Sequence, residues 1–117
     1  MYANMYKRII DIKVEDIFAG DHGTLPEMDK SYYGGGPTST ITVKNDTGYK
    51  LTLLYSSDNQ SREIVIGVGG ERTFSLNNGY YKVAASVNAY KVSNYVGREY
   101  LNGGGYEVTY YIVTHRF

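Results

Sequence analysis

From Thr38 onward the chain alternates polar and apolar residues with a period of two and breaks at Gly or Asn every few residues. Thr40-Ile41-Thr42-Val43-Lys44 is the first such run, and the period is that of a strand buried on one face. Leu51, Leu53 and Tyr55 share a face in the next run, with Leu54 the one apolar residue on the other. Ile64, Ile66 and Val68 follow, then Arg72, Phe74 and Leu76, then Tyr81, Val83, Ala85 and Val87. A weaker run from Tyr90 to Leu101 contains Val92 and Val96, and Tyr106, Val108, Tyr110 and Ile112 form the last. Between the runs lie Asn45-Asp46-Thr47-Gly48, the polar Ser56 to Ser61, Gly69-Gly70 and Asn102 to Gly105. Asn77-Asn78-Gly79 is the strongest hairpin signal, since Asn and Gly tolerate positive φ. Short strands closely spaced by turns define an all-β sandwich, and short connections favour antiparallel neighbours. The expectation is a single antiparallel β-sandwich of about seven strands over residues 38–117.

Residues 1–37 read as an N-terminal extension and linker. Ile10, Ile12 and Val14 alternate with Asp11, Lys13 and Glu15, which suits a strand of β-branched residues. A helix from Met5 to Phe18 would gather Tyr6, Ile10, Val14 and Ile17 but would place Lys13 inside that face. The alternation therefore favours a strand within residues 8–18, with a helix as the alternative. Residues 21–37 hold both prolines and Gly34-Gly35-Gly36, the composition of a long loop or linker. A strand at residues 8–15 on such a tether could pair with its own sheet or with another copy, so self-association through these residues is expected.

Composition removes whole classes of function. Lys+Arg and Asp+Glu are 12 each, giving zero net charge, whereas nucleic-acid binders carry a basic excess to neutralise phosphate. With no Cys there is no disulfide framework, thiolate metal site or cysteine nucleophile. No run approaches the roughly 18 apolar residues of a membrane span. Residues 1–20 do not form a signal peptide, because Asp11, Lys13, Glu15 and Asp16 interrupt the apolar stretch. The chain is thus expected to be exported, to the periplasm or cell surface, if a leader was removed, and cytoplasmic otherwise.

Catalytic chemistry finds no footing. Asp21-His22 with Glu27 and Asp29 is the nearest approach to a metal or acid–base cluster, but the second histidine, His115, is remote in sequence and the spacing matches no ligand motif. No serine sits in Gly-x-Ser-x-Gly. Neither Gly34–Gly36, Gly67–Gly70 nor Gly103–Gly105 is followed by Lys-Ser/Thr, so these groups read as turns rather than phosphate loops. The chain is expected to be non-catalytic, with no cofactor and no metal.

The 14 tyrosines, against three Phe and no Trp, carry what functional signal remains. Tyr55, Tyr81, Tyr106 and Tyr110 fall on inferred core faces, where the ring fills space and the hydroxyl seeks a partner. Tyr90, Tyr95, Tyr100 and Tyr111 fall on weak strands or opposite faces and are the candidate ligand-binding residues. Exposed Tyr among Asn and Gly suits recognition, because the rings offer rigid contact area. Coplanar rings beside Asn and carboxylates would favour a glycan, and a mixed apolar patch would favour a protein.

Arg72 to Val87 resembles the signature of prealbumin-like domains, in which a strand ends in Leu, a Gly turn follows and the next strand opens with Tyr-x-Val. Leu76, Gly79, Tyr81 and Val83 carry the match. Carboxypeptidase-regulatory and PEGA-type modules of bacterial proteins share it, and Ig-like sandwiches are similar at this level, although the Cys and Trp of antibody domains are absent. The resemblance implies an accessory module of an exported bacterial protein, binding or spacing rather than catalysing, with a protein partner first and a carbohydrate second.

Overall fold

The computed structural model describes residues 2–89 and 92–112. Tyr90, His115 and the end of the last expected run lie outside them. The chain opens with a helix, α1 (Tyr2–Ala19), followed by nine strands: β1 (His22–Thr24), β2 (Asp29–Tyr32), β3 (Thr38–Asp46), β4 (Leu51–Ser56), β5 (Ser61–Ile66), β6 (Glu71–Asn77), β7 (Gly79–Val87), β8 (Asn94–Leu101) and β9 (Gly104–Tyr111). Two sheets pack face to face, one ordered β1-β8-β7-β4-β5 and the other β2-β9-β3-β6. The all-β sandwich is present, and every one of the seven expected strands lies within it. Two strands are added by residues expected to be a linker, which gives nine.

Between the sheets, the inward faces of β4, β5 and β7 meet those of β3, β6 and β9 in one core. It includes Ile41, Val43, Leu51, Leu53, Ile64, Ile66, Phe74, Leu76 and Val83, with Tyr55, Tyr81, Tyr106 and Tyr110 among them. Val68 does not join it: β5 stops at Ile66, and Val68 is exposed in the turn that follows. Most neighbours are antiparallel, but β3 runs parallel to β9 and β1 parallel to β8. Both parallel pairs join segments far apart in sequence, so no short connection constrains their direction.

Asn77-Asn78-Gly79 is not a hairpin. It is a corner, carrying the chain from β6 in one sheet to β7 in the other. Asn78 holds the corner by donating its N–H to the Pro37 carbonyl at 3.0 Å and its side-chain amide to the Gly36 carbonyl at 2.8 Å. The Ser39 hydroxyl donates to its Oδ1 at 2.6 Å. Gly79, at φ +148°, makes the reversal.

Residues 8–18 are helical, which corrects the expected strand. The reason lies on the outer face of the five-stranded sheet, where Leu54, Ala84 and Val96 form an apolar strip that buries Ile10 and Val14, with Ile17 and Phe18 packed alongside. A helix of this period presents Ile10, Val14 and Ile17 together, while Lys13 stays exposed at the flank. Asp11 fixes the docking: its carboxylate accepts from Lys7 at 2.7 Å, from the Ser56 hydroxyl at 2.6 Å and from the Ser61 hydroxyl. Burial raises its pKa, and the hydrogen bonds from Lys7, Ser56 and Ser61 outweigh that and hold it below the ordinary value. With these residues helical and docked on their own sheet, strand exchange through residues 8–15 is overturned.

Candidate functional site

Residues 22–32 form a strap across one open side of the sandwich. At one end β1 pairs with β8, and at the other β2 pairs with β9, so the strap joins the edges of both sheets. Between them Leu25 and Met28 pack into the core. The approach is close: a Cβ at Gly97 would come within 2.8 Å of Leu25. Side chains at Gly104 and Gly105 would collide with Tyr32, so these glycines admit β2 rather than cradle a phosphate. Lys30 locks the far end, donating to Asn102 Oδ1 and the Gly103 carbonyl, each at 2.7 Å, and to the Tyr106 hydroxyl at 3.1 Å.

The candidate tyrosines separate into two places. Tyr95 on β8 and Tyr111 on β9 meet at the strap, where they line a groove of about 380 Å³ with Thr24, Leu25, Pro26 and Glu27. On its other side Tyr111 borders a second depression, of about 280 Å³, with Glu27, Asp29, Glu107, Thr42, Thr109 and Lys44. Tyr95 is half-buried against the core, and Tyr111 is exposed. Tyr100 lies instead on the outer face of the five-stranded sheet. It stacks on Tyr80, a residue that sequence reasoning missed, with ring centroids 4.4 Å apart and planes inclined at 31°. The cross-strand register of β7 and β8 sets this pair, and Tyr80 was recognisable as outward from its parity with Tyr81. The two rings face each other, so they make a ridge rather than a flat platform. A groove of about 410 Å³ separates this face from the polar flank of α1, and Lys7, Asp11, Glu15, Lys82 and Arg98 line it. Lys82 is paired with Glu15 at 2.7 Å. Lys82 and Arg98 lie 5.7 and 5.5 Å from the Phe18 ring centroid.

α1 carries a second apolar stripe. Met5, Ile9 and Ile12 are 58%, 52% and 53% exposed, and their i, i+4, i+7 spacing puts them on one side of the helix, away from Ile10 and Val14. Tyr6 and Val65 extend the apolar surface, with Tyr6 tied to β5 where its hydroxyl accepts the Glu63 N–H at 3.0 Å.

Inside the sandwich one cluster lacks partners. Tyr81 and Tyr106 satisfy their hydroxyls, Tyr81 by donating to the Asn77 carbonyl and Tyr106 by donating to Asn102 Oδ1, each at 2.7 Å. The hydroxyls of Tyr55 and Tyr110 and Oε2 of Glu99 are buried and hydrogen-bond to no described residue. Burial pushes the Glu99 carboxyl up to about 7. Burial also raises the Tyr110 hydroxyl, with the Glu99 charge adding to it, and raises Tyr55, with Tyr110 and Glu99 adding. The three groups therefore lie within electrostatic reach of one another. Glu99 faces inward by its register opposite Tyr81, a placement hidden in the weak pattern of residues 90–101.

The other sequence candidates are not brought together. His22 is exposed, with its ring centroid 6.1 Å from that of Phe18, and no group of three or more His, Asp or Glu among the described residues could hold a metal. No helix among them is long and apolar enough to cross a membrane.

The fold and its surfaces define a β-sandwich closed by a strap and covered on one face by a helix. No protein-family model and no curated protein matches the chain. Among solved structures, a DUF3823 family protein from Parabacteroides merdae ATCC 43184 is similar, with a TM-score of 0.45 and 18% identity over 65% of this chain. The matched part is 46% of that protein's chain.

Proposed function

We propose that this chain is a non-catalytic protein-interaction module that assembles with a second copy of itself through the outward stripe of α1. The observation that carries this is the stripe: three large aliphatic side chains aligned on an exposed helix face form the mixed apolar patch that favours a protein partner. The charges of α1 indicate an antiparallel copy. Lys7 and Arg8 lie toward its N-terminus and Glu15 and Asp16 toward its C-terminus, against the preference of the helix dipole, and neither end turn carries a compensating charge. An antiparallel partner opposes the two dipoles and sets the Arg8 half of one helix beside the Asp16 half of the other. Strand addition at the β5–β6 side is less suited, because its edge groups are already engaged. Arg72 donates to the Val65 carbonyl, Arg62 to the Ser75 carbonyl, and Asn77 gives its N–H to Gln60. Light scattering on a sizing column tests the reading. The chain should run as a dimer and Ile9→Glu as a folded monomer; a monomeric parent, or a variant that remains dimeric, overturns it.

The prealbumin-like assignment belongs with this proposal. Its support is that Leu76, Tyr81 and Val83 are buried together while Gly79 turns the corner between their strands. It carries with it the role of an accessory module of an exported bacterial protein.

A carbohydrate is the second reading, favoured by Tyr111 standing exposed beside Glu27, Asp29, Glu107 and two threonine hydroxyls. A ring face can stack on a sugar while carboxylates and hydroxyls bond its OH groups. A glycan array read in parallel with Tyr111→Ala decides it: a hit abolished by the substitution supports the reading, and an array without hits removes it.

A further inference from the structure

We propose that the open half of β8, residues 97–101, docks an extended segment of another protein, and that a lysine of that segment enters the crevice at Glu99. The backbone supplies the first argument. β1 covers β8 only as far as Thr24, opposite Val96. The Leu25 N–H donates to the Val96 carbonyl at 3.3 Å, and the strap then leaves for the other sheet. Because the Val96 carbonyl points to this edge, alternation along the strand turns the N–H and C=O of Arg98 and Tyr100 the same way. Among the described residues no strand lies beyond them, and none of the side-chain caps that engage β5 and β6 is present here. A short unpaired edge of this kind takes an added strand through main-chain hydrogen bonds.

Side-chain chemistry selects what can be added. On an added strand, the residue opposite Glu99 shares its inward face. There a crevice of about 380 Å³ runs between the strap and β8, lined by Thr24 to Met28 and by Gly97 to Glu99. Leu25, Pro26 and Met28 give it apolar walls suited to the methylenes of a long side chain, and Glu99 gives it a carboxylate. That carboxylate has an unpartnered buried oxygen and forms no ion pair among the described residues. The groups within its electrostatic reach from the facing strands are the Tyr55 and Tyr110 hydroxyls, neither of them cationic. At the crevice itself the charged neighbours are Glu27, which adds negative charge, and Arg98, whose guanidinium lies over Phe18 on the outer face. A buried, uncompensated carboxylate is costly, and an arriving ammonium supplies the missing charge along with three donors. A norleucine of the same length would fill the walls and leave the acid unpaired.

This site refines the protein-interaction reading but stands on a different surface from the stripe of α1. The test titrates the ¹⁵N-labelled full chain with three synthetic extended peptides that differ at one central residue: lysine, norleucine or glutamate. The lysine peptide should shift the amides of residues 97–101 and bind about tenfold more tightly than the norleucine peptide. In Glu99→Gln that preference should vanish while the amide spectrum stays folded. In the parent chain, the ¹³C titration of the Glu99 carboxyl should move to lower pH when the lysine peptide is bound, a readout that does not depend on the variant folding. Equal binding of lysine and norleucine peptides, or no perturbation of residues 97–101, overturns the proposal. The same titration in Ile9→Glu separates the two surfaces, since binding at β8 should persist there whether or not α1 self-associates.

Discussion

Glu99→Gln should make the protein less sensitive to pH, and the sign follows from burial. Burial holds the folded carboxyl at about 7, against an ordinary value of 4.5. Between those values the folded chain retains a proton that the unfolded chain has released. Stability therefore falls as pH rises through this window and levels off above it. At roughly 1.4 kcal/mol per pH unit, the interval amounts to about 3 kcal/mol, a substantial part of the stability of a domain this size. Glutamine keeps the shape of the protonated acid and cannot ionise. Urea unfolding of both proteins at about pH 4 and about pH 8 isolates the effect, because every other titrating group cancels in the difference. The parent should match or exceed the variant in acid. Relative to that comparison, the variant should gain about 3 kcal/mol at the higher pH. A parent–variant difference that is the same at both pH values would refute the reasoning, since the acid would then ionise equally in the folded and unfolded chains.

Two further substitutions probe the joints of the sandwich. Asn45→Ala should cost about 3 kcal/mol or more in urea unfolding, because the Asn45 amide donates to the carbonyls of Tyr49, Ile66 and Gly67 at 2.7, 3.0 and 3.0 Å while its Oδ1 accepts from Thr47. Gly97→Val should cost about 1–3 kcal/mol by overpacking against Leu25. It should also raise the rate of proteolytic cutting within residues 24–28; an unchanged cutting rate would mean that the strap is not held by that contact.

The sequence made the core legible because burial between two sheets imposes the same parity on every strand. Tyr55, Tyr81, Tyr106 and Tyr110, picked from alternation alone, are all buried. What alternation could not show was which outward residues are also covered. Leu54 looked like an exception, and together with Ala84 and Val96 it is the seat of α1. Residues 8–15 satisfy both periods, and the choice between them is made by that distant seat rather than locally. The strap was hidden for a similar reason: three- and four-residue strands of mostly polar side chains have no periodicity of their own and exist only through β8 and β9. The candidate tyrosines divided because cross-strand register sends Tyr100 to Tyr80, while the packing of the two sheets at the strap brings Tyr95 toward Tyr111.

The parallel pairing of β3 with β9 has a consequence for the order in which the chain is made. As synthesis proceeds, residues 38–46 emerge early and find β6 as one neighbour, but their other edge waits for residues 104–111. Until then a strand carrying Ile41 and Val43 lies bare on the nascent chain, and the pairing that covers it spans most of the domain. Contacts so distant in sequence are slow to form, and uncovered edges invite the wrong neighbour. Among the described strands, β9 is thus made last and covers β3, and a chain stopped short of it would offer that edge to any other copy nearby.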